Sequence, residues 1–510
     1  MSPLPQSQSH QAYREEQASR QGMIYIGGND GMLHGFNADN GEEWFAYVPA
    51  TLFDSGSSDG GLHKLTRGNY RHRYYVDATP TVSDAYLNNR WRTILVGGLR
   101  GGGRGLYALD ISYPESLRDE TNAADAVLWE FTHPDLGHTY SEPVIAPIGD
   151  ETGIEWYVIT GNGYNDQSGG YHDGEAQLFL IKLAGPGADG NWDEGSDYYI
   201  VATGAGDASE RNGLGSPQVT DYTGDYIADR VYAGDLFGNL WAINLPSSLA
   251  SASARRLFTT VDNQPITARP VVAYNPNVPY NADSKPNLLV MFGSGQYLVN
   301  GDRSTTSTQY YYGIWDNFGD FSDISEVLLS QLVEQGPITS VTSAGSSGYR
   351  VMPDPQSVRY ADPDSPKRGW YLPLPDSGER VVNAGLVLGD VIYFTTLVPS
   401  SDPCGVGGSG WLMGLDLATG ARSLESIFDI NNDQYINQDD TVSVGGSSVA
   451  VSGQQLSGGI SSAPLVMGSS LYTQNSSGTV QGRAAGDGSN GEENKLKRQS
   501  WRQLYYDTLK

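Results

Sequence analysis

The sequence predicts an all-β protein, a β-propeller of seven irregular blades (six being the alternative count) with an insertion that contains a short helix. Three observations lead there. Glycine and tyrosine are abundant, 64 and 32 of 510 residues, while windows with an amphipathic helical period are few. Short strands joined by tight turns have this balance. A unit of β-forming run, glycine-rich reversal and second apolar run then recurs, as MIYIGGNDGMLHGFNADNGEEWFAYVP at 23–49, TILVGGLRGGGRGLYALDI at 93–111 and RVYAGDLFGNLWAINL at 230–245. Finally, a proline precedes a strand-like run at Pro80, Pro143, Pro217, Pro270 and Pro464. Proline is tolerated at the start of a strand because no ladder N–H is needed there.

Taken in order, residues 1–22 are polar and read as a flexible lead-in. The propeller is expected over 23–486, with further copies of the unit beginning YVITGNGY at 157, LVMFGSGQYLVNGD at 289 and VIYFTTLVP at 391. Six or seven copies at a spacing of about 50–70 residues, with four strands each, are the mark of a propeller. Residues 317–380 read as the insertion, and DISEVLLSQLVEQG at 323–336 as its helix. The segment 487–510 reads as a polar tail.

The net charge is −28, from 59 acidic and 31 basic residues. Such a chain repels nucleic acid and anionic lipid and attracts cations, so no nucleic-acid partner is expected. No apolar run is long enough to insert in a membrane as a helix. Cys404 is the single cysteine, which excludes an intrachain disulfide and a cysteine-based zinc site. No phosphate-binding loop, nucleophile elbow or zinc-protease helix is present. The glycines of GLRGGGRG join strand to strand, whereas a dinucleotide fold needs a helix after them. No catalytic residue and no organic-cofactor site is assigned, and the protein is read as a non-enzyme.

The densest cluster of hard oxygen donors is FDINNDQYINQDD at 428–440. Asp429, Asn431, Asp433, Asn437 and Asp440 fall at positions 1, 3, 5, 9 and 12 of an EF-hand loop, and Tyr435 supplies the carbonyl at position 7. Calcium takes six to eight oxygens, and alternating ligands along a curled loop deliver them. Gln434 stands where the sharp turn wants glycine, and Asp440 where a bidentate glutamate usually closes the shell, so an affinity on the order of micromolar to millimolar is expected. An Asx-rich solvent turn is the competing reading. DYTGDYIAD at 221–229 is a second candidate, with Asp221, Thr223, Asp225, the Ile227 carbonyl and Asp229 at positions 1, 3, 5, 7 and 9. Its alternative is a hairpin whose carboxylates cap backbone amides. DGNWDEGSD at 189–197 reads as an ordinary turn.

The repeat style resembles quinoprotein propellers, which implies as an alternative a pyrroloquinoline-quinone oxidoreductase; alcohol dehydrogenases of that kind carry an adjacent cysteine pair. A fuller resemblance rests on GNDGMLHGFNADNGEEWFAYVPATLF, DRVYAGDLFGNLWAINL and the Asp-x-Asn-x-Asp loop near residue 430, spanning about residues 23–475. On these the chain resembles the C-terminal domain of the PilY/PilC family of type IV pilus biogenesis factors and tip adhesins. The resemblance implies a secreted, cell-surface domain whose partners are pilus components, including minor pilins, and host or surface ligands. It further implies that calcium in the loop opposes pilus retraction and its release permits it, so that twitching motility and attachment depend on the ion. The family ligands carry over to Asp429, Asn431, Asp433 and Tyr435, but Asn437 stands where the family closes with aspartate. A purely binding propeller with calcium as a static brace is a further alternative.

Overall fold

The structure is a computed structural model and describes residues 7–488 apart from 54–60, 151–152, 165–173, 281–285, 318–325, 343–347, 361, 363–365, 401, 403–405, 432, 434 and 469. Its fold is an all-β propeller. The chain divides into two compact units, one of residues 1–236 and 241–255 and the other of 237–240 and 256–510.

Antiparallel meanders account for the first part of the chain. A three-stranded sheet of Met23–Gly27, Leu33–Asn37 and Glu43–Tyr47 is followed by a four-stranded one of Thr81–Leu87, Arg90–Gly98, Leu106–Asp110 and Val127–Phe131. Val144–Asp150, Gly153–Gly161, Gln177–Lys182 and Tyr198–Ala202 form another, and Gln218–Thr220, Arg230–Gly234, Asn239–Asn244 and Ser253–Thr259 a third of that size. Five strands begin at the residue after the expected prolines, at Thr81, Val144, Gln218, Val271 and Leu465. The reversal Asn88-Asn89 has positive φ at both residues, 50° and 62°, the geometry that a two-residue hairpin turn demands and asparagine accepts.

The apolar runs inside the repeats are strands buried on both faces, so they read as continuous rather than alternating. Ile94, Leu95 and Val96 are all fully buried, as are Leu289, Val290 and Met291. Glycine ends such runs where a neighbouring ring lies across the strand: a Cβ on Gly97 would stand 2.3 Å from the ring of Tyr107. Among the apolar clusters of the first unit, one is centred on Trp129, Phe131 and Phe179 and another on Leu95, Tyr107 and Leu109.

In the second unit, Val271–Tyr274, Leu288–Gly293 and Tyr310–Asp316 continue the repeat and pair onward to Gly369–Pro373. That last strand lies within the span expected to be inserted, so the insertion contributes directly to the sheet. Gly348–Val351 likewise pairs with Gly453–Leu456 in the largest sheet. The expected helix at 323–336 is not α-helical among its described residues. A single 3₁₀ turn, Leu329–Gln331, precedes a two-residue strand, Val333–Glu334, which pairs in parallel with Trp370 and Tyr371. Strand pairing and burial of Val327 override the local helical period there.

The lead-in also differs from expectation. Ser7–Glu16 forms a helix that is fastened to the second sheet. Tyr13 is buried with its hydroxyl 2.9 Å from Thr93 Oγ1, His10 Nε2 lies 3.0 Å from Asp84, and Arg20 donates to Thr93 at 2.7 Å. Most of the tail, from 489, lies outside the described residues, as do Gln434 and Cys404.

Candidate metal-binding loops

The loop at 429–440 is held at both ends by core contacts of the second unit. Ile427 and Phe428 are about 1% exposed, and the Ile427 carbonyl accepts from the Tyr393 hydroxyl and the Gly486 amide, each at 3.0 Å. Phe428 packs edge-on against Tyr393 with ring centroids 5.6 Å apart. At the other end the chain leaves through the hairpin Thr441–Val444 and Ser447–Ala450. The hydroxyl of Ser426 donates to the Asp440 carbonyl at 3.0 Å and closes the two ends on each other.

Asp440 is 1% exposed and its carboxylate faces into the loop. Oδ1 accepts from the amides of Ile430 at 2.9 Å and Asn431 at 3.4 Å, and Oδ2 from that of Asn437 at 2.9 Å. Both oxygens are therefore engaged by the loop's own backbone. The other residues lie toward solvent as successive Asx turns: Asn431 Oδ1 accepts from the Asp433 amide at 2.9 Å, Asp433 Oδ1 from Tyr435 at 2.8 Å and Asn437 Oδ1 from Asp439 at 2.7 Å. Asn431 Nδ2 also donates to Asp433 Oδ2 at 3.1 Å, which brings these two side chains together. Asp429 is half-buried at the loop entrance, and the Tyr435 ring is 72% exposed.

Among the described residues no three His, Cys, Asp or Glu side chains converge as a metal-holding group. Asp429, Asp433 and Asp440 thus do not form a three-carboxylate cage. An ion in this loop would have to be completed by the amide oxygens of Asn431 and Asn437 and the Tyr435 carbonyl. That donor set is wholly hard oxygen, which fits calcium in its chemistry.

In the 221–229 loop the carboxylates are also turned onto backbone amides. Asp221 accepts from Gly224 at 2.7 Å, Asp225 at 3.2 Å and Tyr226 at 2.7 Å, and Asp229 from Tyr222 at 2.8 Å and from the Thr223 amide and hydroxyl at 2.9 and 3.1 Å. Asp225 holds the Ile227 amide at 2.9 Å. Burial, then the nearby Asp221 charge, push the Asp229 carboxyl up to about 6 against the pull of the Thr223 and Tyr222 amides. The geometry is that of a capped hairpin. The 189–197 segment is likewise a turn, with the Asp193 amide on Asp197 Oδ2 at 3.1 Å.

Fold and loops together define a class: a β-propeller whose strand connections carry carboxylate- and amide-rich loops. No helix among the described residues is long and apolar enough to cross a membrane. The family model for the PilY1 β-propeller domain matches residues 1–325, and the chain belongs to that family. The type IV pilus biogenesis factor PilY1 of Pseudomonas aeruginosa is 32% identical over 500 residues, covering 89% of this chain and 40% of the relative. A PilY1 homologue of Xylella fastidiosa is 34% identical over 438 residues, covering 79% of this chain and 26% of its own length. This chain therefore spans less than half of each of these relatives. The crystal structure of the P. aeruginosa PilY1 C-terminal domain superposes with a TM-score of 0.74 at 27% identity, covering 96% of this chain and 98% of that domain.

Proposed function

We propose that this chain is the non-enzymatic, calcium-binding propeller of a type IV pilus biogenesis factor, located with the pilus at the cell surface. In this reading it acts with pilus components to set extension against retraction, and so supports twitching motility and attachment. The observation that carries the reading is the match along nearly the whole chain to the C-terminal domain of a protein named for pilus biogenesis. The sequence relatives bear the same description, which favours this reading over quinone-dependent oxidation.

Calcium would be held by Asp429, Asn431, Asp433, the Tyr435 carbonyl and Asn437. Asp440 serves as the anchor that presents them, because its oxygens are engaged by the Ile430 and Asn437 amides. Bound calcium supplies positive charge that neutralises Asp429 and Asp433 and ties successive turns of the loop together. Without it, the Asn431 side-chain N–H offers Asp433 only a partial positive charge. The 221–229 loop is assigned as a capped turn.

The test is the double variant Asp429→Ala/Asp433→Ala. Calorimetry should show calcium uptake abolished in a folded protein, and cells carrying the variant should differ from wild type in piliation or twitching. Undiminished uptake would defeat the site assignment. Lost uptake with unchanged motility would reduce the ion to a structural brace.

A further inference from the structure

The first unit contains a feature at odds with the chain's acidity. Residues 61–76, GLHKLTRGNYRHRYYV, carry four lysines and arginines and two histidines with no acidic residue, in a chain of net charge −28. They border an open cleft of about 780 Å³ whose walls include Lys64, His72, Arg73, Tyr74, Tyr75 and His138. Lys64 and Arg73 form no ion pair among the described residues, whereas Arg100 and Arg92 pair with Asp77 and Asp110. Cations gathered along one cleft attract an anion locally, while the acidic remainder of the chain repels a long polyanion.

The rest of the wall narrows the class of anion. Tyr74 is 52% exposed, and its ring meets that of His72 edge-on with centroids 5.2 Å apart. Phe53, also on the cleft, is 60% exposed. The Tyr75 hydroxyl is buried with no hydrogen-bond partner among the described residues, a donor left over by the fold. His138 Nδ1 lies 3.2 Å from the Arg100 carbonyl, so Nε2 is the ring atom left to other partners. Exposed aromatic faces, imidazoles, phenols and two cations suit a ring that has an apolar C–H face, several hydroxyls and a carboxylate. A peptide's apolar side chains would find little to bury against here, since Leu52 is itself buried and the exposed rings on the wall are those of Phe53 and Tyr74.

We propose that this cleft binds an acidic oligosaccharide, its carboxylates held by Lys64 and Arg73 and its rings lying on Tyr74 and Phe53. The site is separate from the 429–440 loop and does not depend on the calcium reading. The probe is tetragalacturonate, titrated calorimetrically into the whole chain in the presence of a calcium chelator. Saturable binding that weakens with salt is expected, together with a loss of about tenfold for each of Lys64→Ala and Arg73→Ala and partial retention in Arg73→Lys. Tyr74→Ala should weaken binding without changing the salt slope. All four side chains reach the cleft from an exposed or half-exposed segment, and unchanged thermal unfolding would verify that the variants fold. Equal binding of the uncharged, carboxyl-reduced tetrasaccharide would overturn the proposal. So would no binding by wild type, or a tetraglutamate peptide or inorganic phosphate binding as tightly as the sugar.

Discussion

Substituting Asp440 separates an anchor from a ligand. Its carboxylate holds two loop amides at 2.9 Å and a third at 3.4 Å while being 1% exposed. A hydrogen bond to a charged group contributes about 1.5–3 kcal/mol net. Counting the two short bonds at the low end, because the loop borders solvent, gives about 3 kcal/mol for Asp440→Ala. That is a factor of about a hundred in the opening equilibrium of the loop. Hydrogen exchange read at the Ile430 and Asn437 amides in chelator should therefore speed up about a hundredfold. Asp440→Asn, which keeps one acceptor oxygen, should lie between variant and wild type. The chelator is what makes the experiment decisive: a residue that acts only as a calcium ligand leaves metal-free exchange unchanged, or slows it by removing negative charge. Either of those results would refute the anchor assignment.

Two further outcomes test other parts of the molecule. Asp229 holds its proton up to about pH 6 when folded, chiefly because it is buried, whereas an unfolded aspartate releases it near 4. The folded state then binds more protons across that window, so this residue makes stability fall as pH rises from about 4 to about 6, and not beyond. Carbon NMR of the Asp229 carboxyl should show a midpoint near 6 that calcium does not move; a midpoint driven down by calcium would make 221–229 a metal site after all. In the second unit Arg350 and Glu379 are both fully buried and joined by two bonds of 2.6 and 2.8 Å, with the guanidinium 4.0 Å above the Trp411 ring. Arg350→Ala should cost about 3–5 kcal/mol in urea unfolding, because it strands a buried carboxylate, while Arg350→Met/Glu379→Leu should cost far less. A small cost for the single change would show that water reaches Glu379.

Much of the fold was legible because its signals are local. Proline before a strand and glycine at a reversal each follow from the φ or the volume of one residue. The run VLLSQLVEQ misled for a complementary reason. Its apolar spacing suits a helix, but Val327 bridges to Phe258 and Val333 pairs with Trp370, partners distant in sequence. The lead-in was misread because its polarity hides the few residues, Tyr13, His10 and Arg20, that fasten it to Thr93 and Asp84. The basic run at 61–76 was passed over within the overall charge of −28, and only the fold places it along a cleft.

The sequence by itself determined the all-β repeat, the strand starts, the family resemblance and the oxygen-rich loop at 429–440, all of which depend on residue type and short spacing. What only the tertiary structure decided is which way those oxygens face. Asp440 counts as a ligand by position, and in the fold its carboxylate turns inward onto the Ile430 and Asn437 amides while its carbonyl accepts from Ser426. Asp221 and Asp229 likewise match a ligand spacing but are already engaged by backbone N–H groups. Spacing specifies which side chains can reach a common point; desolvation and the nearest unsatisfied amide decide which way they face.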